Sequence, residues 1–127
     1  MKDWITLETR DGSTAFAPGE EIEGTVSWHL EGAKSLEVRL LWFTKGKGDQ
    51  DSRLVATVPL PDPGKNEVRP FNIRLPEGPF SFSGKLISLV WALEAVAAPG
   101  SRTERLEITV SPTRGEILLP GSHAGPG

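Results

Sequence analysis

The sequence predicts an all-β domain, either a sandwich or a barrel, built from about seven or more short strands. Hydrophobic residues recur with a period of two along almost the whole chain, as in strands with one buried and one solvated face. Turn-forming residues interrupt this alternation at intervals of roughly 8–12 residues, which is typical of sandwiches and barrels. No window keeps a helical spacing for more than about two turns, so helices are not expected.

The predicted strands follow one another with turns between them. The clearest lies at 21–31, where Ile22, Val26 and Trp28 share one side and polar residues occupy the other. Gly24 falls on the inner side, so we expect a bulge or the close approach of a neighbouring backbone there. The predicted strands are 4–8, 21–31, 35–44, 54–60, 68–75, 86–96 and 103–111, with a little further pairing at 15–17.

Some of these segments have patterns that predict their place in the fold. The strand at 35–44 is interpreted as the hairpin partner of the preceding strand, with a turn at 31–34. The polar stretch 44–51 is then expected to be a mobile loop. The strand at 86–96 is apolar on both faces, which predicts a central strand with covering on each side. The proline-rich stretch 76–84 predicts a rigid, non-pairing crossover between sheets.

Length and composition limit the size and class of the protein. The chain has 127 residues, a net charge of −3, 14 Gly and 11 Pro. These values suit one domain, predicted at 1–118, followed by a disordered Gly/Pro tail at 119–127. The acidic balance argues against nucleic-acid binding. Because the chain has no cysteine, disulfides and cysteine-based catalysis or metal binding are excluded.

The apolar segments are too short for targeting or membrane insertion. The N-terminus has no apolar run of signal-peptide length, and no stretch is long enough to span a bilayer. We therefore expect a cytoplasmic protein that does not insert into membranes.

Three stretches in register across about residues 16–110 resemble the arrestin-like β-sandwich family. The first is a Pro-Gly-Glu entry into a strand, FAPGEEIEGTV at 16–26. The second, PFNIRLPEGPFSFSG at 70–84, is similar to the segment that joins the middle strands of the family. The third is the strand ISLVWALEA at 87–95, with Trp91 where the family usually has Tyr. Together the three are more specific than any one of them.

The resemblance implies an immunoglobulin-like, two-sheet antiparallel β-sandwich of about 7–8 strands. It also implies a non-catalytic domain that binds other proteins or acts as an adaptor. Arrestins carry two such sandwiches, whereas this chain has room for one. The basic and acidic cluster of the arrestin phosphate sensor cannot be assigned here, and with no tyrosine a Pro-Pro-x-Tyr motif is impossible. Receptor binding is therefore not implied.

Residue types that carry chemistry are present but are not arranged for it. His29 and His123 are the only histidines, and His29 is expected to be an ordinary surface residue on the polar side of its strand. Glu21 and Glu23 are expected to form a solvated face, and the stretch 49–51 lacks the ligand spacing of a calcium loop. The sequence therefore predicts no catalytic residues, no metal site and no cofactor.

The candidate contact residues lie near the end of the strand at 35–44. Leu41 and Phe43 lie off the inward face and form a small apolar patch for protein contact. Cover by the N-terminal segment or by a sheet corner is the alternative. Lys45 and Lys47 follow in the predicted loop, either as contacts for an acidic partner or as a solvated loop tip. The partner is a second copy of the chain or another protein, bound through this patch or through edge strands.

A second function, from a different class, is a small-ligand or carbohydrate-binding sandwich. It requires an exposed aromatic platform or a concave apolar pocket. Trp28, Trp42 and Trp91 lie on the apolar sides of their strands and are expected in the core, whereas Trp4 is expected to be partly exposed.

Overall fold

The protein is an all-β sandwich, as the alternation predicts. The computed structural model describes residues 3–47, 50–84, 86–100, 102–113 and 117–118. Within these residues, seven strands have six or more residues and three have two, and a single 3₁₀ turn spans Arg10–Gly12. The strands are β1 (Trp4–Thr9), β2 (Ala15–Phe16), β3 (Glu21–His29), β4 (Ser35–Gly46), β5 (Ser52–Pro59), β6 (Asn66–Arg74), β7 (Phe82–Ser83), β8 (Ile87–Ala98), β9 (Arg102–Val110) and β10 (Ile117–Leu118).

The strands form a small sheet and a large sheet. The small sheet has the order β1-β3-β6, and all its ladders are antiparallel. In the large sheet, β4 lies between β5 and β8, and β8 pairs on its other side with β9 and β7. The two-residue strands β2 and β10 add short parallel pairs to β9 and β7. Within the described part of the chain, β1 and β6 hydrogen-bond only to β3, so the small sheet does not continue into the large one to form a barrel. The predicted tail at 119–127 lies outside the described residues.

The predicted hairpin between the second and third long strands is wrong. β3 pairs with β1 and β6, whereas β4 pairs with β5 and β8, so residues 31–34 cross from one sheet to the other. Two backbone bonds hold the ends of this crossing, from Leu30 N to Lys65 O at 2.8 Å and from Lys34 N to Ala98 O at 2.8 Å. Turn residues look alike in a hairpin and in a sheet-to-sheet corner, and only long-range pairing distinguishes them.

The crossover at 76–84 is also less simple than predicted. Phe82 and Ser83 pair with Leu89 and Ser88 of β8, so the end of the segment belongs to the large sheet. Just before this pair, the buried Ser81 donates its N–H to Val110 O at 2.7 Å and accepts from Val110 N at 2.9 Å. The Ser81 hydroxyl thus accepts the Val110 N–H in place of a backbone carbonyl of a paired strand. The alternation of apolar and polar residues does not predict such a side-chain bond.

The core lies between the two sheets. β8 is a central strand of the large sheet, as predicted, but the predicted covering of both its faces is wrong, because no described element packs on the outer face with Val90 and Val96. Trp28 and Trp91 are the largest fully buried side chains, at 1% and 0% exposure. Each indole donates Nε1–H to a loop carbonyl, Trp28 to Gly64 O at 2.7 Å and Trp91 to Pro79 O at 2.8 Å. Trp42 is half-buried and packs against this core. The buried indoles thus attach two loops to the sandwich.

Gly24 allows β3 to approach its neighbours closely, as expected from its inward position. An alanine Cβ at this position would lie 2.7 Å from Phe71 Cζ and 2.8 Å from Phe71 Cε1, and closer still to the Glu8 carbonyl oxygen. Both β1 and the Phe71 ring of β6 therefore occupy the space of a side chain.

A cluster around Arg69 holds the loop before β6. The guanidinium lies 5.6 Å from the Trp28 ring and donates from Nε and Nη2 to the two oxygens of Glu67, each at 2.9 Å. It also donates to the carbonyls of Pro61 and Asp62, and Glu67 accepts from the Gly64 N–H. The hydrogen bond from Arg69, and secondly the Gly64 amide, lower the pKa of Glu67 below its ordinary value.

We expect Gly24→Ala to destabilise the fold by about 1–3 kcal/mol, because the strands or the Phe71 ring must move to admit a methyl group. Gly78→Ala is the matched control, since nothing lies within 4 Å of a Cβ there, and its effect should stay within about 0.5 kcal/mol. Urea unfolding of both variants provides the comparison. Equal midpoints would show that β1, β3 and β6 are not packed as described.

The Glu67 cluster predicts an acid-dependent part of the stability. Because the folded pKa of Glu67 is lowered, its stabilisation is present above the ordinary value of 4.5 and is lost as the pH falls through the folded value. Glu67→Gln should therefore lower the urea midpoint at about pH 6 and lose less stability than the wild type between about pH 4.5 and about pH 3. Glu104→Gln, an exposed carboxylate of β9, is the control and should keep the wild-type pH profile. A wild-type profile for Glu67→Gln would contradict the assignment.

Candidate functional site

The predicted contact residues share the outer face of the large sheet. Leu41 and Phe43 alternate with inward residues of β4 and lie opposite Ala92 and Val90 of β8. Both are half-buried. Lys45 continues on the same side and is exposed, because β4 extends to Gly46 and the predicted loop begins later than expected.

The loop after β4 carries the fourth predicted residue. Lys47 is exposed, and its N–H donates to Leu86 O at 2.9 Å. Lys45 and Lys47 are therefore not both loop residues. The longer strand is explained by the register of β4 with β8, which continues to the pair Gly46–Ile87.

Charged side chains of the large sheet cover part of Phe43. The Arg105 guanidinium lies 4.9 Å from the ring centroid and Lys45 Nζ lies 5.8 Å from it. Arg105 is held by Glu94, with Nη2 2.9 Å from Oε2, and Lys45 Nζ is 3.5 Å from Glu107 Oε2. The described contacts of the ring are thus cation–π contacts from β4 and β9 themselves, which leave the apolar patch bordered by charge.

The apolar patch extends to the free edge of the large sheet. Leu54 of β5 pairs with Leu41 and is 54% exposed, so β5 carries the most exposed part of the patch. We call Leu41, Phe43, Leu54 and Val90 the outer strip. Leu41 and Phe43 of the outer strip were predicted from the sequence, whereas Leu54 was not. The alternation in β5 is broken by a bulge between the pairs at Leu40 and Leu41, which hides the face on which Leu54 lies.

Strand β5 is the least protected of the four long edge strands. Among the described residues it pairs only with β4, has eight residues and contains a single charged residue, Arg53. The edge strand β6 is interrupted by Pro70, β9 carries four charged residues, and β1 has only six residues. Prolines, charges, bulges and short length are the usual devices that keep sheet edges from pairing with other chains, and of these β5 has its bulge at Val55 and a proline, Pro59, at its end. β5 therefore has unpaired backbone groups with little to repel a further strand.

A groove opens beside this edge. Its volume is about 460 Å³, and it lies between β4, β5 and the crossover before β7. The side chains that line it are apolar except for one arginine, and its accessible surface is polar and apolar in about equal parts. The lining residues are Trp42, Arg53, Leu54, Val55, Pro76, Gly78 and Pro79. The sequence feature that marks this groove is Arg53, the one charged residue of β5, and it was not among the predicted contact residues.

The expectation of a surface position for His29 is wrong. The side chain is on the outer face of β3, yet only 7% of the residue is exposed. Its Nδ1 lies 2.7 Å from Asn66 Oδ1. Its Nε2 lies 3.4 Å from Glu31 Oε1 and makes no hydrogen bond among the described residues. Lys65 Nζ lies 3.3 Å from the other Glu31 oxygen. Neighbours from β6 and the adjoining loop cover the ring, which the residue's position in one strand does not show.

The acidic residues at the start of β3 serve structural contacts. Glu23 accepts from Arg10 at 2.8 Å, and this bond raises the pKa of the arginine. Glu20 accepts from the Ala17 N–H at 2.8 Å. No group of three or more metal-ligating side chains occurs among the residues that the structure describes. Nor does any helix in those residues have the length and apolarity needed to cross a bilayer. His123 and Asp49 lie outside the described residues.

The comparisons with known proteins identify the fold. No family model and no curated protein matches the chain. The crystal structure of Spo0M, a sporulation control protein from Bacillus subtilis, matches with a TM-score of 0.65 at 18% identity, over 86% of this chain and 49% of that one. The fold is arrestin-like. This arrestin-like domain spans about half the length of Spo0M, and at this identity the likeness establishes the fold alone.

A second set of solved structures matches more weakly. A β-glucosidase from Listeria innocua, in complex with gluconolactone and with isofagomine, has TM-scores of 0.44 and 0.41 at 15% and 17% identity. The match covers 91% of the arrestin-like domain and 17% of the enzyme. Scores at this level carry no inference about activity.

The exposure of the four tryptophans predicts their quenching. Trp4 is 43% exposed, whereas Trp28 and Trp91 are buried. We expect iodide to quench mainly Trp4, so Trp4→Phe should remove most of the quenchable fluorescence. Trp42→Phe, at the groove, is the comparison and should remove a smaller part. Wild-type quenching in Trp4→Phe would mean that a tryptophan assigned to the core reaches solvent.

Proposed function

We propose that the protein is a non-catalytic interaction domain that binds a protein partner through the outer strip and the adjoining edge strand β5. The observation that carries this proposal is the exposure of Leu54 on an edge strand that pairs on one side only. An exposed apolar side chain beside unpaired backbone donors and acceptors is the combination that strand addition uses.

The charges around the outer strip supply specificity. Lys45 and Lys47 extend beyond its end, and the Arg105–Glu94 pair borders it. An apolar centre with a charged rim is the usual composition of a protein–protein contact, in which the rim sets orientation and excludes other partners. The partner is another protein or a second copy of this chain.

Binding, not catalysis, is the activity that the site residues support. The described lining of the groove contains no carboxylate, histidine or hydroxyl group that would act as a base or nucleophile. Spo0M is named as a control protein, which is consistent with a regulatory role for this fold. We propose the same non-enzymatic class of role for this chain, and its cytoplasmic location stays a prediction.

The carbohydrate-binding alternative receives no support from the aromatic residues. The two most exposed are Trp4 and Phe80, at 43% and 37%. Trp4 pairs with His29 at the end of β3, whereas Phe80 lies in the crossover that follows β6, near the opposite end of the sandwich. Two aromatics at opposite ends do not form a platform for a sugar.

Capture experiments with matched variants test the proposal. The wild type, the double variant Leu41→Ser/Phe43→Ser and the control Val68→Ser are immobilised and exposed to lysate of the source organism. Val68 is 69% exposed on the small sheet, so its replacement makes a similar polar change away from the outer strip. We expect the double variant to lose about tenfold of a protein that the other two retain, because the apolar contact is removed.

Light scattering after size exclusion, over a concentration series, accompanies the capture and detects a second copy as partner. A dimer that the double variant disrupts supports the outer strip as the contact. If all three baits retain the same proteins and the wild type stays monomeric, the outer strip is not a binding surface.

A further inference from the structure

We propose that the groove beside β5 binds an extended peptide segment of another protein, which adds to β5 as a further strand and places a carboxylate against Arg53. The segment also inserts a large apolar side chain between Trp42 and the two prolines of the groove. The inference rests on the proposed function and specifies the chemistry of the partner.

The backbone of β5 provides the first part of the site. Alternate residues of an edge strand direct their N–H and C=O groups away from the sheet, and no strand of the described residues lies beside those of β5. An added strand satisfies these groups without rearrangement of the domain. The other edges offer less, since Pro70 lacks an N–H in the middle of β6 and charged residues line β9.

The walls of the groove are held in place by the core. Pro79 accepts the indole hydrogen bond of the buried Trp91 at 2.8 Å, and Pro76 O accepts from the Gly19 N–H at 3.2 Å. Trp42, which forms another wall, packs against the core. A groove of about 460 Å³ with walls held by the core is within the size range of sites that bind ligands without large adjustment.

Arg53 differs from the other arginines of the domain. The structure describes seven arginines, and six of them donate hydrogen bonds to a carboxylate or a carbonyl within the fold. Arg53 makes no such bond among the described residues, and it lines the groove opposite Trp42 of β4. Arg53 is exposed, and a guanidinium without a partner among the described residues favours a carboxylate as ligand, because its planar fork matches a carboxylate in a bidentate hydrogen bond.

The same charge argues against a second copy at this edge. β5 has the sequence SRLVATVP and contains no acidic residue. Two β5 strands paired with each other would supply no carboxylate for either Arg53. A strand with Asp or Glu opposite Arg53, and with a large apolar residue two positions along on the same face, meets both requirements.

Defined peptides test this proposal by charge exchange. The probes are fluorescein-labelled octapeptides, acetylated and amidated, with one Glu and one Leu two positions apart in a Ser/Thr background, and the same peptides with Gln or Lys in place of Glu. Fluorescence anisotropy measures their affinity for the wild type, Arg53→Glu and Lys34→Glu. Lys34→Glu makes the same charge change on an exposed lysine just before the start of β4, outside both the groove and the outer strip.

We expect the wild type to bind the Glu peptide about tenfold more tightly than the Gln peptide, because a charge-assisted hydrogen bond is lost in the latter. Arg53→Glu should lose the Glu peptide and prefer the Lys peptide, whereas Lys34→Glu should stay within about twofold of the wild type. Circular dichroism verifies that each variant is folded.

Three outcomes overturn the proposal. Equal affinities for the Glu, Gln and Lys peptides, or no binding of any of them, remove the carboxylate site at Arg53. Equal losses in Arg53→Glu and Lys34→Glu would show only general attraction between charges. A wild-type dimer that Thr57→Pro disrupts would place a second copy on β5. In the first two cases a protein whose capture depends on Leu41 and Phe43 would leave the proposed function standing, so the two failures are distinguishable.

Discussion

The need of a buried indole N–H for a hydrogen-bond acceptor determines much of this structure. Trp28 and Trp91 are enclosed between the sheets, and an unpaired N–H there would cost about 1–3 kcal/mol. Each finds a carbonyl in a loop, at Gly64 and at Pro79, so the two loops are attached to the core. The first loop is reinforced by the Arg69 cluster, and the second forms a wall of the groove beside β5. A requirement of the core thus shapes the surface at which we propose that a partner binds.

Most charged side chains on the surface are paired within the fold. Arg69 and Arg105 donate to carboxylates of their own or a neighbouring strand, and Arg105 also covers Phe43. Such contacts keep exposed apolar residues partly shielded and limit unwanted association. Arg53 and Leu54 are the exceptions, one without a hydrogen bond among the described residues and the other more than half exposed. Arg53 and Leu54 are adjacent on the edge strand β5, so a charged group and an apolar group are available to a partner at the same place.

Much of the fold could be predicted because burial repeats locally along each strand. The spacing of Ile22, Val26 and Trp28 predicts β3. Gly24 predicts the close approach of a neighbour to β3, and the Phe71 ring occupies that position. The partner of β3 could not be predicted in the same way, because any strand with a suitable inner face satisfies the pattern. His29 shows the same limit for the site, since its burial depends on Asn66 and Glu31, which the fold brings next to it.

The strands, their inward faces, the all-β class and the outer-face position of Leu41 and Phe43 could all be predicted from the amino-acid sequence. These features follow from period-two alternation and turn residues, which act within a few positions of the chain. Only the tertiary structure decided that residues 31–34 join two sheets, that β5 is an edge, and that Trp42, Arg53 and Pro79 line one groove. Such features depend on which distant segments pair. Which strands pair depends on the packing of the whole core, and each strand contributes only one face to that core.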